Sequence, residues 1–73
     1  MDQNVLRTKW KQCRNELNRQ WKQFTEEDID RVDGERDNLV FLLESRYGYA
    51  RRRAEREADL FVSEFEDRLR RAS

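Results

Sequence analysis

Four arginines close together in the last third of the chain are the residues best placed to do chemistry. Arg51, Arg52 and Arg53 are consecutive, and Arg56 follows one helical turn after Arg52. Positive charge at the start of a helix faces the positive end of the helix dipole, so this run of arginines is electrostatically unfavourable for the helix. Two interpretations stay open. Either the acidic middle of the chain folds against these arginines, or they bind an anionic lipid, a nucleic acid or an acidic partner.

A cluster of acidic residues surrounds Gly34 in the middle of the chain. The cluster consists of Glu26, Glu27, Asp28, Asp30, Asp33 and Glu35. A calcium loop of the EF-hand type needs oxygen ligands at positions 1, 3 and 5 and a glycine at position 6. Counting from Asp28, Val32 takes position 5 and Gly34 arrives one place late. We interpret the cluster instead as the solvated start of a helix, with Thr25 and Asp28 forming a capping box.

Other reactive side chains are scarce. The chain contains no histidine, which removes the commonest acid–base catalyst and metal ligand. Its single cysteine, Cys13, falls on an apolar helix face, where a buried thiol behaves as a small hydrophobe. We therefore expect no enzymatic activity, no cofactor and no bound metal.

The elements that position these residues are predicted to be helices throughout. Leu6, Trp10, Cys13, Leu17, Trp21 and Phe24 are spaced 4, 3, 4, 4 and 3, and Ala54, Ala58, Phe61 and Phe65 form a second stripe. A break at Gly34 resets the helical phase and moves Arg36 out of an apolar face. We expect Arg36 to pair with a neighbouring carboxylate. The prediction is an all-α bundle of four helices, resembling two packed helical hairpins, at 4–23, 26–32, 35–47 and 50–71.

The size and charge of the chain are compatible with one small domain, 1–73. Charged residues make up 44% of the 73 residues, yet the net charge is zero. Residues 1–23 carry six basic and two acidic side chains, whereas residues 24–48 carry three basic and eight acidic ones. We expect these complementary segments to pair with each other.

One apolar residue does not fit inside the predicted bundle. At about 100° per residue, Phe41 lies about 200° from Leu39 and from Leu43, on the other side of the helix. An exposed aromatic ring beside Leu42 suggests a contact patch, such as a dimer seam. Chance placement is the alternative interpretation, since single exposed apolar residues are normal.

An ordered set of motifs along the chain resembles the CsbD-like family of small bacterial stress-response proteins. The set is Trp10-Lys-Gln, Trp21, Phe24-Thr-Glu-Glu-Asp28, Gly34, Arg36-Asp37, Leu39-Val40, Arg46-Tyr47-Gly48-Tyr49 and Ala54-Glu55. The resemblance implies a small all-α fold, an association with the general stress response and an unassigned molecular activity. Asn15, Lys22 and Phe41 stand where relatives often carry glycine, and the last helix is richer in arginine.

Together these observations predict a cytoplasmic stress-response protein that acts through its surface rather than by catalysis. Its partner is unknown, and weak self-association is one expected mode of action. The alternative is a weak binder of nucleic acid or anionic surfaces that uses Arg51–Arg53 and Arg56. We expect no membrane span and a cytoplasmic location, since no apolar run reaches signal or transmembrane length.

Overall fold

Five helices separated by short breaks make up the described part of the chain. The structure is a computed structural model that describes residues 4–72, with the side chains of residues 5–72. The helices are α1 (Asn4–Thr8), α2 (Trp10–Gln20), α3 (Glu26–Val32), α4 (Arg36–Tyr47) and α5 (Arg51–Ala72). The predicted all-α class is therefore confirmed, and α3, α4 and α5 agree with their predicted ranges to within one residue at each end.

The predicted first helix, 4–23, differs from the structure in two respects. It is divided at Lys9, whose φ of −112° and ψ of 34° are not helical. It also ends earlier, at Gln20, because Trp21 adopts an extended conformation. The bend at Lys9 turns α1 back onto the rest of the molecule, where Leu6 is buried. Burial of this leucine overrides the local preference for one continuous helix.

The other breaks follow from local chemistry. Thr25 caps α3 in the predicted capping box, in which the Asp28 backbone N–H donates to Thr25 Oγ1 and the Thr25 N–H donates to Asp28 Oδ2. Asp33 and Gly34 both adopt positive φ after the end of α3, and Gly48 does so after α4. These left-handed residues reverse the chain and allow consecutive helices to pack side by side.

Ion pairs and ring contacts show how the helices run. Arg46 near the end of α4 bonds to Asp28 at the start of α3, so these two helices are antiparallel. Arg36 at the start of α4 donates to Asp59 in the middle of α5 at 2.7 Å, which makes α4 and α5 antiparallel as well. This contact confirms the expected pairing of Arg36 with a carboxylate. Trp21, just past α2, lies 5.5 Å from the ring of Phe61 in α5.

One apolar cluster fills the space between the five helices. Its buried members are Leu6, Cys13, Leu17, Trp21, Phe24, Ile29, Val32, Leu39, Val40, Leu42, Leu43, Ala54, Ala58, Phe61 and Phe65. The predicted domain, 1–73, also includes residues 1–3 and 73, which lie outside the described residues, so a domain spanning the whole chain stays a prediction.

Candidate interaction surface

Two arginines of the predicted cluster, Arg52 and Arg56, lie together on the exposed side of α5. Arg52 and Arg56 are about 40° apart around this helix, so they lie on one stripe. Neither has an ion-pair partner among the residues whose side chains are described. They border a shallow, open groove lined by Arg52, Glu55, Arg56, Asp59, Leu60 and Ser63.

The other two arginines of the predicted cluster point elsewhere. Arg51 bonds to Glu55, one turn further along α5, at 3.2 Å. Arg53 pairs with Glu57 at 3.9 Å, and its guanidinium lies 4.0 Å from the centre of the Tyr49 ring. Because Arg51 and Arg53 are each about 100° from Arg52, the four residues do not share one face. The structure therefore divides the predicted site, bringing Arg52 and Arg56 together.

The carboxylates beside Arg52 and Arg56 are already engaged. Asp59 accepts from Arg36, which raises the pKa of the Arg36 guanidinium mainly through that hydrogen bond. Glu55 accepts from Arg51. Both acidic groups in the groove are thus bonded to other arginines, and neither forms an ion pair with Arg52 or Arg56.

The acidic middle segment pairs with residues other than the α5 arginines. Arg7 of α1 bonds to Glu35, and Arg14 of α2 bonds to Asp30. These contacts confirm the expected pairing between residues 1–23 and 24–48. Among the described residues, Arg51 and Arg53 pair within α5 and Arg52 forms no ion pair, so the interpretation that the acidic segment folds against Arg51–Arg53 is wrong.

A second group of exposed residues is apolar. Among the large apolar side chains described, Phe41 (64% exposed) and Leu60 (49%) are the two on the surface. Leu42, predicted to lie beside Phe41 in a contact patch, is only 4% exposed. That part of the prediction is wrong. The residues one turn before and after Leu42 are Asn38 and Arg46, and both bond to α3, so Leu42 faces α3.

Asp28 is the one buried charged side chain among the described residues, and its role is structural. Its carboxylate accepts from Arg46 Nε at 2.9 Å and from Arg46 Nη2 at 2.7 Å, in addition to the Thr25 N–H. These contacts, the Arg46 hydrogen bond first, lower the pKa of Asp28, although burial alone would raise it. The sequence prediction placed Asp28 in a solvated cluster. In fact it is buried because it joins α3 to α4.

Cys13 is unsuited to act as a nucleophile at neutral pH. It is fully buried, and desolvation, followed by the nearby charge of Glu16, raises its pKa to about 11. The thiol therefore stays protonated near pH 7, which agrees with its predicted role as a small hydrophobe.

The described residues contain neither a metal-binding cluster nor a membrane-spanning helix. No group of three or more His, Cys, Asp or Glu side chains in residues 5–72 could hold a metal ion. In the same part of the chain, no helix has the length and apolar content needed to cross a bilayer.

Leu60 is the surface residue that sequence reasoning missed. It lies about 100° before Phe61 and about 40° beyond Arg56, so it continues the exposed stripe of Arg52 and Arg56. The same phase argument that identified Phe41 could have found it. Ser63, one turn further along, borders the same groove.

Comparison with known proteins places the chain among small bacterial proteins. It is 38% identical over 69 residues to the UPF0337 protein PA4738 of Pseudomonas aeruginosa, covering 94% of this chain and 100% of that protein. It is 40% identical over 48 residues to the UPF0337 protein YjbJ of Escherichia coli K12, covering 66% and 70% of the two chains. The UPF0337 protein ECA0631 of Pectobacterium atrosepticum is 35% identical over 57 residues, covering 78% and 83%.

Two further comparisons gave no match. No family model matches the chain. No solved structure matches it significantly. The relationship therefore rests on the sequence relatives, of which the protein from Pseudomonas aeruginosa is aligned over its full length. This extent and level of identity place the chain in the UPF0337 family of bacterial proteins.

Proposed function

We propose that this protein is a CsbD-like component of the bacterial general stress response, located in the cytoplasm, and that it acts through its surface without catalysing a reaction. Membership of the UPF0337 family and the resemblance of the ordered motifs support this proposal. The observation that carries it is the exposure of Phe41 on the outer face of α4. Aromatic side chains are enriched at protein–protein interfaces, and this ring is accessible to a partner without any change in the fold.

The position of Phe41 makes this surface separable from the fold. Phe41 lies about 200° around α4 from the buried residues Leu39 and Leu43, so its removal leaves the core intact. Phenylalanine and serine have similar helix propensities, so Phe41→Ser should also preserve α4. The variant should therefore lose contacts with a partner while it keeps the stability of the monomer.

Survival under stress tests the proposal directly. A deletion strain would be complemented with the wild-type protein or with Phe41→Ser. Two controls would be tested beside them. Lys11→Ser alters another part of the surface, and Tyr47→Phe removes a hydroxyl but keeps the ring. We expect Phe41→Ser to be the one variant that does not restore survival. Its protein level and melting temperature should equal those of the wild type. Full survival with Phe41→Ser would contradict the Phe41 surface mechanism. Tyr47→Phe is compared at equal melting temperature, because the Tyr47 hydroxyl accepts from the Gln23 N–H.

A second function is favoured by Arg52 and Arg56, the two arginines of the cluster that form no ion pair with the described residues. Arg52 and Arg56 present positive charge on one stripe beside Leu60, which suits weak binding of a nucleic acid or another anionic surface. The expected affinity is low, because two cations release few counterions when they contact phosphate groups.

Salt-dependent titration tests this alternative. Duplex DNA, single-stranded RNA and anionic vesicles would each be titrated at two salt concentrations with the wild type. The variant Arg52→Gln/Arg56→Gln should reduce the slope of log affinity against log salt by about 2. The matched control Arg51→Gln/Arg53→Gln removes the same charge from arginines that are already engaged. If the wild type binds nothing at low salt, the alternative is eliminated.

A further inference from the structure

Helix α1 is joined to the rest of the protein by a single non-helical residue. Lys9 separates α1 from α2, and no side chain caps α2 there. Lys9 is neither glycine nor proline, the residues that usually stop a helix. Changes of about 75° in its ψ angle and about 50° in its φ angle would bring it to helical geometry. The chemistry of this residue therefore does not require the bend.

The apolar pattern on both sides of Lys9 is that of one continuous helix. Leu6, Trp10, Cys13 and Leu17 keep spacings of 4, 3 and 4 across the bend. In a straight helix Leu6 would extend the stripe formed by the other three residues. In the structure it instead packs into the core and is 1% exposed. The docking of α1, not its local sequence, maintains the bend.

The site that receives α1 is specific in shape and charge. A Cβ atom at Gly34 would lie 3.1 Å from the Cα of Arg7 and 3.4 Å from the backbone oxygen of Leu6, so α1 would have to shift slightly to admit a side chain there. Next to it, Arg7 bonds to Glu35. Helix α1 also contacts α5. A second copy of α1 would find the same shape and the same complementary charge.

We propose that α1 exchanges between two copies of this chain, with Lys9 straightening into a helix that joins α1 to α2 and with each α1 docking beside Gly34 of the other copy. The exchanged dimer keeps every contact that α1 makes in the monomer and adds helical continuity at Lys9. Short hinges of this kind favour exchange, which is a low-cost route to a twofold dimer. The exchange does not depend on the Phe41 surface, and it is therefore separable from the proposed function.

Two substitutions at Lys9 alter the hinge in opposite directions. Lys9→Ala and Lys9→Gly remove the same charge, but alanine favours the helical state over glycine by about 5-fold per chain. Because two hinges straighten per dimer, Lys9→Ala should dimerise with a dissociation constant about 25-fold lower than that of Lys9→Gly. Sedimentation equilibrium over a range of concentrations measures this ratio. Equal dimerisation of the two variants, or tighter dimerisation of Lys9→Gly, overturns the proposal.

Charge reversal distinguishes exchange of α1 from association through another surface. Arg7→Glu and Glu35→Arg each place like charges at the docking site of their own chain. In an exchanged dimer of one chain of each kind, both docking sites contain opposite charges. Mixing the two variants should therefore increase dimerisation by about 3- to 10-fold over either variant alone.

The double variant Arg7→Glu/Glu35→Arg is the control for charge reversal. It restores opposite charges in every arrangement and should behave like the wild type. Circular dichroism shows whether each variant is folded, which we expect because both side chains are exposed. If the mixture dimerises no more than the separate variants, α1 is not exchanged.

Discussion

At the scale of single residues, Asp28 combines a helix cap with a contact between two helices. One carboxylate completes the cap of α3 and accepts two hydrogen bonds from Arg46 of α4. Its burial would be costly if the charge lacked these partners. The same residue therefore begins one helix and attaches it to the next, so that the local capping motif also has a tertiary role.

The lowered pKa of Asp28 predicts how stability depends on pH. Because folding lowers this pKa, Asp28 contributes fully to the free energy of unfolding above about pH 4. This stabilisation is lost as the pH falls through the lowered pKa. Asp28→Asn should cost about 1.5–3 kcal/mol at pH 7. The difference from the wild type should shrink at pH 3, as measured by urea denaturation.

The matched control for Asp28 is Glu26→Gln, which removes an exposed acidic charge from the same turn. We expect its effect at pH 7 to be below 1 kcal/mol, the magnitude typical of exposed charges near a helix terminus. A loss for Asp28→Asn that is the same at pH 3 and pH 7 would contradict the assigned role of its carboxylate.

At the scale of helices and turns, two glycines with similar backbones have different surroundings. Gly34 has a φ of +74° and Gly48 a φ of +69°, so each reverses the chain in a conformation that L-residues rarely adopt. Next to Gly34 lies the backbone of α1, whereas a Cβ atom at Gly48 would meet nothing within 4 Å. Gly34 thus serves both the turn and the docking of α1.

This comparison yields a prediction with an internal control. Gly48→Ala should cost about 1–2 kcal/mol, the price of left-handed geometry for a residue with a Cβ atom. Gly34→Ala should cost more, because α1 must also move away from the new methyl group. Chemical denaturation of both variants measures the difference. Equal losses would show that the close approach of Arg7 to Gly34 does not contribute to stability.

At the scale of the whole molecule, aromatic rings connect the two ends of the chain. Trp21 lies 5.9 Å from Phe24 and 5.5 Å from Phe61, which brings the segment after α2 into contact with α5. Phe24 in turn meets Tyr47 edge to face at 5.8 Å. A chain this short buries a limited fraction of its surface, so these few large rings carry much of its stability.

Replacement of Trp21 tests how far the fold depends on this ring contact. Trp21→Ala should cost roughly 3–5 kcal/mol, since the ring is 4% exposed, and this is enough to unfold a domain of this size. Trp10→Ala is the matched control and should cost clearly less, because Trp10 is only partly buried. Thermal denaturation followed by circular dichroism measures both. A loss below about 1 kcal/mol for Trp21→Ala would mean that the core lies elsewhere.

The sequence was sufficient to place most of the helices. The Thr25 capping box begins α3, while Gly34 and Gly48 reverse the chain after α3 and α4, and each of these signals acts within a few residues of its effect. Helical phase likewise identified Phe41 as exposed and would have identified Leu60. Local chemistry and the 3.6-residue period therefore account for the fold class and for part of the candidate surface.

The sequence by itself determined the all-α architecture, the limits of α3, α4 and α5, and the membership of the UPF0337 family. Only the tertiary structure decided the bend at Lys9, the partner of Asp28 and the division of the arginine cluster. The physical reason is how far apart along the sequence the interacting residues lie. Capping and turn formation involve neighbours in the chain, whereas burial of Leu6 and the pairing of Arg46 with Asp28 depend on how distant helices pack.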